Sequence, residues 1–291
     1  MQVEIFDERI CSLGEGPSAV GVLYSEVSWV DITDSRVLTR NVTTGETGEF
    51  STGENVGFAI PRASGGYVLG TNSGPILRDS SGGSHPFLRL SDIEPLTSQM
   101  AIRWNDAKVS PSGNLWFGTM GYEMLAGTSS LFKYGIKDSA VSRVLSNLTI
   151  SNGMDWSHDG ATFYFIDSNW QAVHAFTVID DELSEERTVI EIPESDGAPD
   201  GMCIDAHGGL WVALWGGSQV RRYDSFDNYK LSQVIELPTP FITSCAFAGE
   251  NLDTLIITSA QNDQDDGPKE GGMTFCIEPG VTGRPSRTFD L

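Results

Sequence analysis

The sequence predicts an all-β protein, a six-bladed β-propeller with four-stranded antiparallel blades around a central channel. Its 32 glycines among 291 residues indicate many tight turns and few long helices. Pairs of short apolar strands recur at a nearly constant interval along the chain. Six units of ~40–50 residues account for the length, which is typical of a propeller.

The repeat is marked by a turn glycine at Gly65, Gly113, Gly160 and Gly208, with separations of 48, 47 and 48 residues. Each glycine precedes an apolar strand such as "LWFGTM" or "TFYFID", so strand hairpins are the repeating element. Weaker units, "EGPSAVGVLYSEVSWVDI" and "TSCAFAGENLDTLIITSA", flank these four and bring the count to six. A β-solenoid is the alternative, but its repeats are usually shorter. No linker-like stretch divides the chain, so we expect residues 1–291 to form one domain.

The charge balance limits the class of partner. Eighteen basic and forty acidic residues give a formal net charge of −22. Such a field repels phosphate backbones and anionic membranes, so we expect neither a nucleic-acid partner nor a membrane partner. Most of the carboxylates are expected on a solvated surface, and cations are the ligands that this charge favours.

The cysteines and the N-terminus predict a cytoplasmic protein. Cys11, Cys203, Cys245 and Cys276 are widely scattered without a C-x-x-C pair, which favours reduced, structural thiols. The first residues, "MQVEIFDERI", carry acids where a signal peptide is apolar, and no apolar run approaches the ~20 residues of a spanning helix. The oligomeric state stays open between a monomer and a small homo-oligomer.

A polar position recurs eight residues before the turn glycines. Gly57, Asn105, Asn152 and Asp200 stand there, and Glu15 in "LGEGP" lies near the corresponding point of the first unit. The inner strands of a propeller run along its axis, so residues at their starts form a ring. Two carboxylates and two amides are therefore predicted to converge on the axis.

Clustered carboxylates without an opposing Lys or Arg repel one another, and a bound cation is the usual remedy. Carboxylate and amide oxygens suit Ca²⁺, Mg²⁺ or Mn²⁺, whereas the four histidines show no zinc-ligand spacing. Taken singly, each of these Asn or Asp residues is more typical of a turn-capping role. Their shared register favours a divalent metal site.

Five motifs in order, "LGEGP", "RWNDAKVSPSGNLWFGTM", "SNGMDWSHDG", "YFIDS" and "PDGMCIDAHGGLWVA", resemble the senescence marker protein (regucalcin), gluconolactonase and luciferin-regenerating-enzyme family. The resemblance runs from about Glu15 to Gly272. It implies a six-bladed propeller with one divalent metal in the channel, and many family members hydrolyse sugar lactones. Ca²⁺ is the first expectation, with Zn²⁺, Mg²⁺ and Mn²⁺ as alternatives.

The resemblance also implies roles for single residues. The positions that match metal ligands are Glu15, Asn152 and Asp200. Arg103 and Asn105 match residues that hold the substrate, and Glu123 matches a further position near the substrate mouth. Trp104 stands where relatives often carry a different aromatic or apolar residue, which predicts an altered pocket wall.

We expect hydrolysis of a 1,5- or 1,4-aldonolactone, with the metal as Lewis acid and Asp200 as both ligand and general base. "GPSAV" is not the G-x-S-x-G of a serine hydrolase. Asp106 is interpreted either as support for the site from behind or as a structural residue, because alternation turns its side chain away from that of Asn105. The alternatives are a related propeller esterase or organophosphate hydrolase and a non-catalytic calcium-binding propeller; the identity of the lactone stays open.

Two further features are interpreted as structural. Trp116 and Trp211 occupy the same place in their repeats, three residues after a turn glycine, which favours core packing over sugar stacking. The acidic stretch from Asn262, "NDQDDGPKEGG", does not have the glycine spacing of an EF-hand and is expected to be a surface loop.

Overall fold

The computed structural model describes residues 2–89, 93, 101–261 and 267–291; the start of the acidic stretch, residues 262–266, lies outside them. In the described part, the strands of the first half are β1 (Glu4–Asp7), β2 (Gly14–Val20), β3 (Glu26–Asp31), β4 (Arg36–Asn41), β5 (Thr47–Ser51), β6 (Val56–Pro61), β7 (Tyr67–Thr71), β8 (Gly74–Arg78), β9 (Ser84–Pro86), β10 (Ile102–Val109), β11 (Leu115–Gly121), β12 (Ser129–Gly135) and β13 (Ala140–Leu148). Those of the second half are β14 (Ser151–Trp156), β15 (Thr162–Asp167), β16 (Ala172–Ile179), β17 (Glu182–Glu191), β18 (Ala198–Ile204), β19 (Gly209–Trp215), β20 (Gln219–Asp224), β21 (Lys230–Glu236), β22 (Ile242–Ala248), β23 (Thr254–Ser259) and β24 (Thr274–Ile277). Short 3₁₀ turns occur at Val22–Tyr24, Ser168–Trp170 and Glu194–Asp196.

The strands form six four-stranded antiparallel sheets, which we number as blades 1 to 6 in chain order. Blades 1 to 5 are β2–β5, β6–β9, β10–β13, β14–β17 and β18–β21. Blade 6 contains β22–β24 and β1. Each inner strand contacts the next one, and the last contacts the first, in the order β2, β6, β10, β14, β18 and β22. The blades therefore close into a ring, and the prediction of a six-bladed β-propeller is confirmed.

The ring is closed by the N-terminal strand. Blade 6 has the order β22, β23, β24 and β1, so β1 is its outermost strand. Within this pair, Glu4 lies opposite Cys276 and Ile5 opposite Phe275. Because both ends of the ring belong to one hydrogen-bonded sheet, opening the ring requires breaking a β ladder.

The inner hairpins have the turns that the sequence predicts. Gly65, Gly113, Gly160 and Gly208 have φ values of 87°, 88°, 73° and 80°, a conformation that favours glycine. Every inner strand also carries a register shift near its start, before the ladder resumes toward the turn. Such bulges bend a strand and re-aim its side chains. The sequence periodicity gave no sign of them.

Aromatic side chains fill the spaces between blades. Trp116 and Trp211 are fully buried, which confirms their prediction as core residues. Trp116 packs edge-on against Trp156 with ring centroids 5.4 Å apart. Trp104 is also fully buried and lies 5.2 Å from the Phe117 ring. The expectation that Trp104 alters a pocket wall is therefore wrong, because strand alternation points this side chain into the core.

The C-terminal residues lie across the end of the channel that carries the hairpin turns. The Thr282 carbonyl accepts from the Ala206 amide at 2.8 Å, and the Phe289 amide donates to the Pro61 carbonyl at 2.8 Å. Phe289 is fully buried. The tail thus covers the turn end, and the strand starts face the other end. In the described part of the chain, we find no helix with the length and apolar character needed to span a membrane.

Candidate functional site

The predicted polar ring lies at the bulges of the inner strands. Asn105, Asn152 and Asp200 lie within the register shifts of β10, β14 and β18, and Glu15 is the last paired residue before the shift of β2. Gly57 holds the same position in β6. Four blades therefore direct oxygen-bearing side chains to one end of the channel.

Close packing explains why the second blade contributes no side chain. A Cβ atom on Gly57 would lie only 2.1 Å from the Trp104 carbonyl oxygen. Glycine is needed next to Asn152 for the same reason. A Cβ on Gly153 would lie 2.6 Å from the Asp200 carbonyl oxygen, so this glycine lets β14 and β18 approach. That approach brings Asn152 and Asp200 together at the axis.

A chain of hydrogen bonds connects the amides to the guanidinium. Nη1 of Arg103 donates to Oδ1 of Asn105 at 2.6 Å, and Nδ2 of Asn105 donates to Oδ1 of Asn152 at 2.7 Å. Nδ2 of Asn152 then donates to the Ser168 hydroxyl at 2.8 Å, which donates to the Pro199 carbonyl at 2.7 Å. Each member fixes the next, so both amides are held in one orientation.

The Asn105 amide is already engaged at both ends within this chain, which gives it a positioning role between Arg103 and Asn152. Arg103 is only 7% exposed, and burial lowers its pKa against the opposing effects of Glu15, Tyr122 and Asp200. Among the described residues, we find no hydrogen bond from Nε or Nη2 of Arg103. Those donors can bind a ligand at the channel mouth.

The carboxyl groups of Glu15 and Asp200 face each other at hydrogen-bonding distance. Burial, followed by the nearby Asp106, raises the pKa of Glu15 to about 8. Burial, followed by the charges of Glu15 and Asp106, also raises the pKa of Asp200. Oδ1 of Asp200 is buried and has no hydrogen-bond partner in the part of the chain that the structure describes. A buried carboxylate oxygen without a donor is costly unless a cation or proton satisfies it.

Asp106 affects the site from the other half of the channel. Its side chain lines a cavity of about 90 Å³ beyond the ring, whose walls do not include Asn105. This agrees with the expected alternation. Burial raises the pKa of Asp106 to about 6, and its charge reaches Glu15 and Asp200. Sequence reasoning missed this electrostatic coupling because it treated neighbouring residues as pointing to independent surroundings.

The donor set fits a hard divalent cation. Glu15 and Asp200 supply two carboxylates, and Oδ1 of Asn152 keeps a second lone pair beside its bond from Asn105. In the residues that the structure describes, no group of three or more His, Cys, Asp or Glu side chains is arranged to hold a metal. The candidate site therefore depends on an amide oxygen together with two carboxylates, the chemistry that Ca²⁺ or Mg²⁺ prefers.

The structure does not bring Glu123 to the ring. This residue is exposed on the loop that follows β11. Its neighbour Tyr122 lies closer to the site, since its amide donates to the Ala101 carbonyl at 3.0 Å, two residues before Arg103. The Tyr122 hydroxyl accepts from Asn55 at 3.1 Å and donates to Asn72 at 3.2 Å. Tyr122 thus links blades 2 and 3 at the channel mouth.

Tyr122 and Ser168 are the residues that sequence reasoning missed. Ser168 had a usable signal, because it stands in the motif "YFIDS" at the end of an apolar strand. There Asp167 accepts from the backbone amides of Thr149 and Asn169, which fixes the turn that carries Ser168. Tyr122 had none, since its partners come from a different blade.

Comparisons with known proteins find similar sequences and similar folds. A family model described as "SMP-30/Gluconolactonase/LRE-like region" matches residues 13–261. Regucalcin of Danio rerio is 34% identical over 273 residues, covering 91% of this chain and 90% of that protein. A Bacillus subtilis protein named "Putative sugar lactone lactonase YvrE" is 35% identical over 187 residues, covering 62% and 63%. The crystal structure of a calcium-binding protein, regucalcin, from Agrobacterium tumefaciens superimposes with a TM-score of 0.89 at 26% identity, covering 99% of this chain and 97% of that one.

Proposed function

Because the chain belongs to the SMP-30/gluconolactonase/LRE-like family, we propose that it is a metal-dependent hydrolase that opens sugar lactones to aldonic acids. The observation that carries the proposal is the buried pair of Glu15 and Asp200, both affected by the charge of Arg103, with an oxygen of Asp200 that has no hydrogen-bond partner among the described residues. A relative named as a sugar lactone lactonase and a neighbour described as calcium-binding support the two halves of this proposal.

The ligands proposed for the metal are Glu15, Asn152 and Asp200, with Ca²⁺ as the first candidate and Zn²⁺, Mg²⁺ or Mn²⁺ as alternatives. A divalent ion there would supply Lewis acidity to the lactone carbonyl and to an attacking water. The ion would also balance two carboxylates whose mutual repulsion burial strengthens. Ca²⁺ accepts six to eight oxygen ligands in flexible geometry, which suits a set of mixed carboxylate and amide oxygens.

Asp200 and Arg103 have different roles in the proposed reaction. Oδ1 of Asp200, for which no described residue provides a hydrogen bond, accepts the proton from the attacking water. General-base catalysis of this kind contributes typically ~10²–10⁴-fold. Nε and Nη2 of Arg103 donate to the ring ester or to sugar hydroxyls, and Asn105 holds Arg103 in place through the 2.6 Å bond. Asn105 thereby supports substrate binding, and Glu123 is retained as a candidate contact at the mouth.

The cysteines and the net charge indicate the cellular compartment and the class of partner. Cys11, Cys203, Cys245 and Cys276 are free, which suits a reducing compartment such as the cytoplasm. A small neutral lactone is also compatible with the net charge of −22, which disfavours nucleic acid and anionic membranes. We propose one propeller domain acting as a monomer or a small homo-oligomer.

Proton release from a panel of five- and six-membered aldonolactones tests the proposal. Asp200→Asn keeps the shape of the side chain and removes its basicity, so turnover should fall ~10²–10⁴-fold with the fold intact. Asp227→Asn is the matched control, since it neutralises an exposed carboxylate on the turn between β20 and β21, outside the ring, and should change turnover far less. Equal activity of wild type and Asp200→Asn would refute the role of Asp200. Turnover of aryl esters or phosphotriesters but not of lactones would favour the esterase alternative.

A further inference from the structure

The channel contains a second feature that the proposed hydrolysis does not use. Beyond Asp106, toward the turn end, lies the cavity of about 90 Å³, which we call the turn-end cavity. Its walls include Lys108, Asp155, Cys203, Cys245 and, from the C-terminal tail, Arg284. Asp155 binds Lys108 at 3.2 Å and Arg284 at 3.1 Å, so two cations are tied to one buried carboxylate.

Two thiols meet in this cavity. The sulfur atoms of Cys203 on β18 and Cys245 on β22 are 3.6 Å apart. The side chains are nearly buried, with exposures of 7% and 2%. They belong to the inner strands of blades 5 and 6, so a bond between them would join two blades.

The backbones of the two strands are already in close contact. A Cβ atom on Gly201 would lie 2.2 Å from Oγ of Ser244 and 2.8 Å from the Thr243 carbonyl oxygen. Glycine therefore lets β18 and β22 approach each other closely at Gly201, two residues before Cys203. A disulfide needs a sulfur separation of ~2.05 Å, so the sulfurs must close by about 1.6 Å, within reach of side-chain rotation and a small strand movement.

We propose that Cys203 and Cys245 are a modification site, a dithiol that small peroxides oxidise to a reversible disulfide between blades 5 and 6. The cavity that both thiols line has room for hydrogen peroxide, whose size is close to that of water. Larger oxidants such as glutathione disulfide do not fit in about 90 Å³. The size of the cavity therefore favours small peroxides as the oxidant.

The reaction proceeds in two balanced steps. The Cys203 sulfur attacks one oxygen of hydrogen peroxide, the O–O bond breaks, and the leaving hydroxide takes up the thiol proton as water, which gives a sulfenic acid. The Cys245 thiol then attacks that sulfur, the S–O bond breaks and a second water leaves. Two thiols lose two electrons in total, and one peroxide is reduced to two waters.

The surroundings assign the first step to Cys203. It is the more exposed of the pair, and the ammonium group of Lys108 favours its thiolate. Cys245 instead directs its thiol toward the Trp211 carbonyl, 3.7 Å away. Burial raises the pKa of Cys203 overall, so the reaction is expected to be slow and to need excess peroxide.

Peroxide treatment followed by thiol counting and peptide mapping tests the proposal. The reduced, folded protein is treated with hydrogen peroxide, quenched with catalase and denatured. Free thiols should fall from four to two and return to four after dithiothreitol. The four cysteines fall on different tryptic peptides, so non-reducing mass spectrometry should find the peptides of Cys203 and Cys245 joined, with the loss of two hydrogen masses.

Variants provide the controls. Cys276→Ser removes the half-buried thiol outside the cavity, and the Cys203–Cys245 link should still form with one free thiol left. Cys203→Ser and Cys245→Ser should each abolish the link. The proposal is overturned if all four wild-type thiols survive, if thiols are lost as sulfinic acid without a link, or if the link needs denaturant to form. The mapping of wild type decides these outcomes even where a variant fails to fold, and none depends on lactonase activity.

Discussion

Replacement of Glu15 by glutamine should weaken the pH dependence of stability that the buried carboxyl pair imposes on the metal-free protein. Glu15 has a pKa of about 8 in the folded protein, above its ordinary value of 4.5, chiefly because of burial. Between these pH values the folded chain binds more protons than the unfolded chain. The stability of the metal-free protein must therefore fall as the pH rises through this window.

The shift sets the magnitude. Between about pH 5 and pH 7, the titration of Glu15 should lower the free energy of unfolding of wild type by roughly 2–3 kcal/mol. A side chain that does not titrate causes no such loss. Asp200 adds to this difference in stability between wild type and variant, because the charge of Glu15 is one cause of the raised pKa of Asp200. Wild type should thus lose at least this much stability relative to Glu15→Gln over the same pH range.

Urea unfolding of chelator-treated wild type and Glu15→Gln at several pH values measures this difference directly. Addition of a divalent ion should restore wild type and leave the variant largely unchanged, because the variant lacks one of the two carboxylates. Parallel profiles of unfolding free energy against pH, in which the two proteins differ by the same amount at every pH, would refute the reasoning.

Three further predictions concern the ring and its support. Arg103→Lys keeps the charge but loses the planar fork that binds Asn105 and that we propose to bind substrate, so KM for lactones should rise about tenfold or more; an unchanged KM would contradict a contact with substrate. Tyr122→Phe removes the hydroxyl that accepts from Asn55 and should cost about 0.5–1.5 kcal/mol in urea unfolding, with KM affected more than kcat; full stability would show that the link between blades contributes nothing. Gly57→Ala places a Cβ 2.1 Å from a backbone carbonyl oxygen and should cost about 1–3 kcal/mol by thermal or urea unfolding; a neutral effect would mean that the strands can separate freely.

The fold was predictable because the repeat is marked by glycines at turn positions whose backbone conformation disfavours other residues. The glycines at 65, 113, 160 and 208 are turn residues by their spacing, and all have the positive φ that such turns need. The buried tryptophans Trp116 and Trp211 could be assigned from their shared register. Local conformation and repeat period together determine the number of blades.

The ring was predictable only in part. Its members share a sequence offset, which placed Asn105, Asn152 and Asp200 at equivalent points of their strands. The bulges that re-aim these side chains depend on how neighbouring strands pack, and no local pattern encodes them. For the same reason Trp104 was misplaced, and the charge that Asp106 exerts on Glu15 was missed. Contacts between blades join residues far apart in sequence.

Removal and return of the metal tests the central proposal most directly. Proton release on the aldonolactone panel is measured after chelation and after addition of Ca²⁺, Mg²⁺, Mn²⁺ or Zn²⁺ to separate samples. We predict turnover well above spontaneous hydrolysis that disappears with chelator and returns with one of these ions. Turnover that survives complete chelation would contradict the role of the metal, and no turnover with any ion, despite tight metal binding, would contradict the assignment as a sugar lactonase.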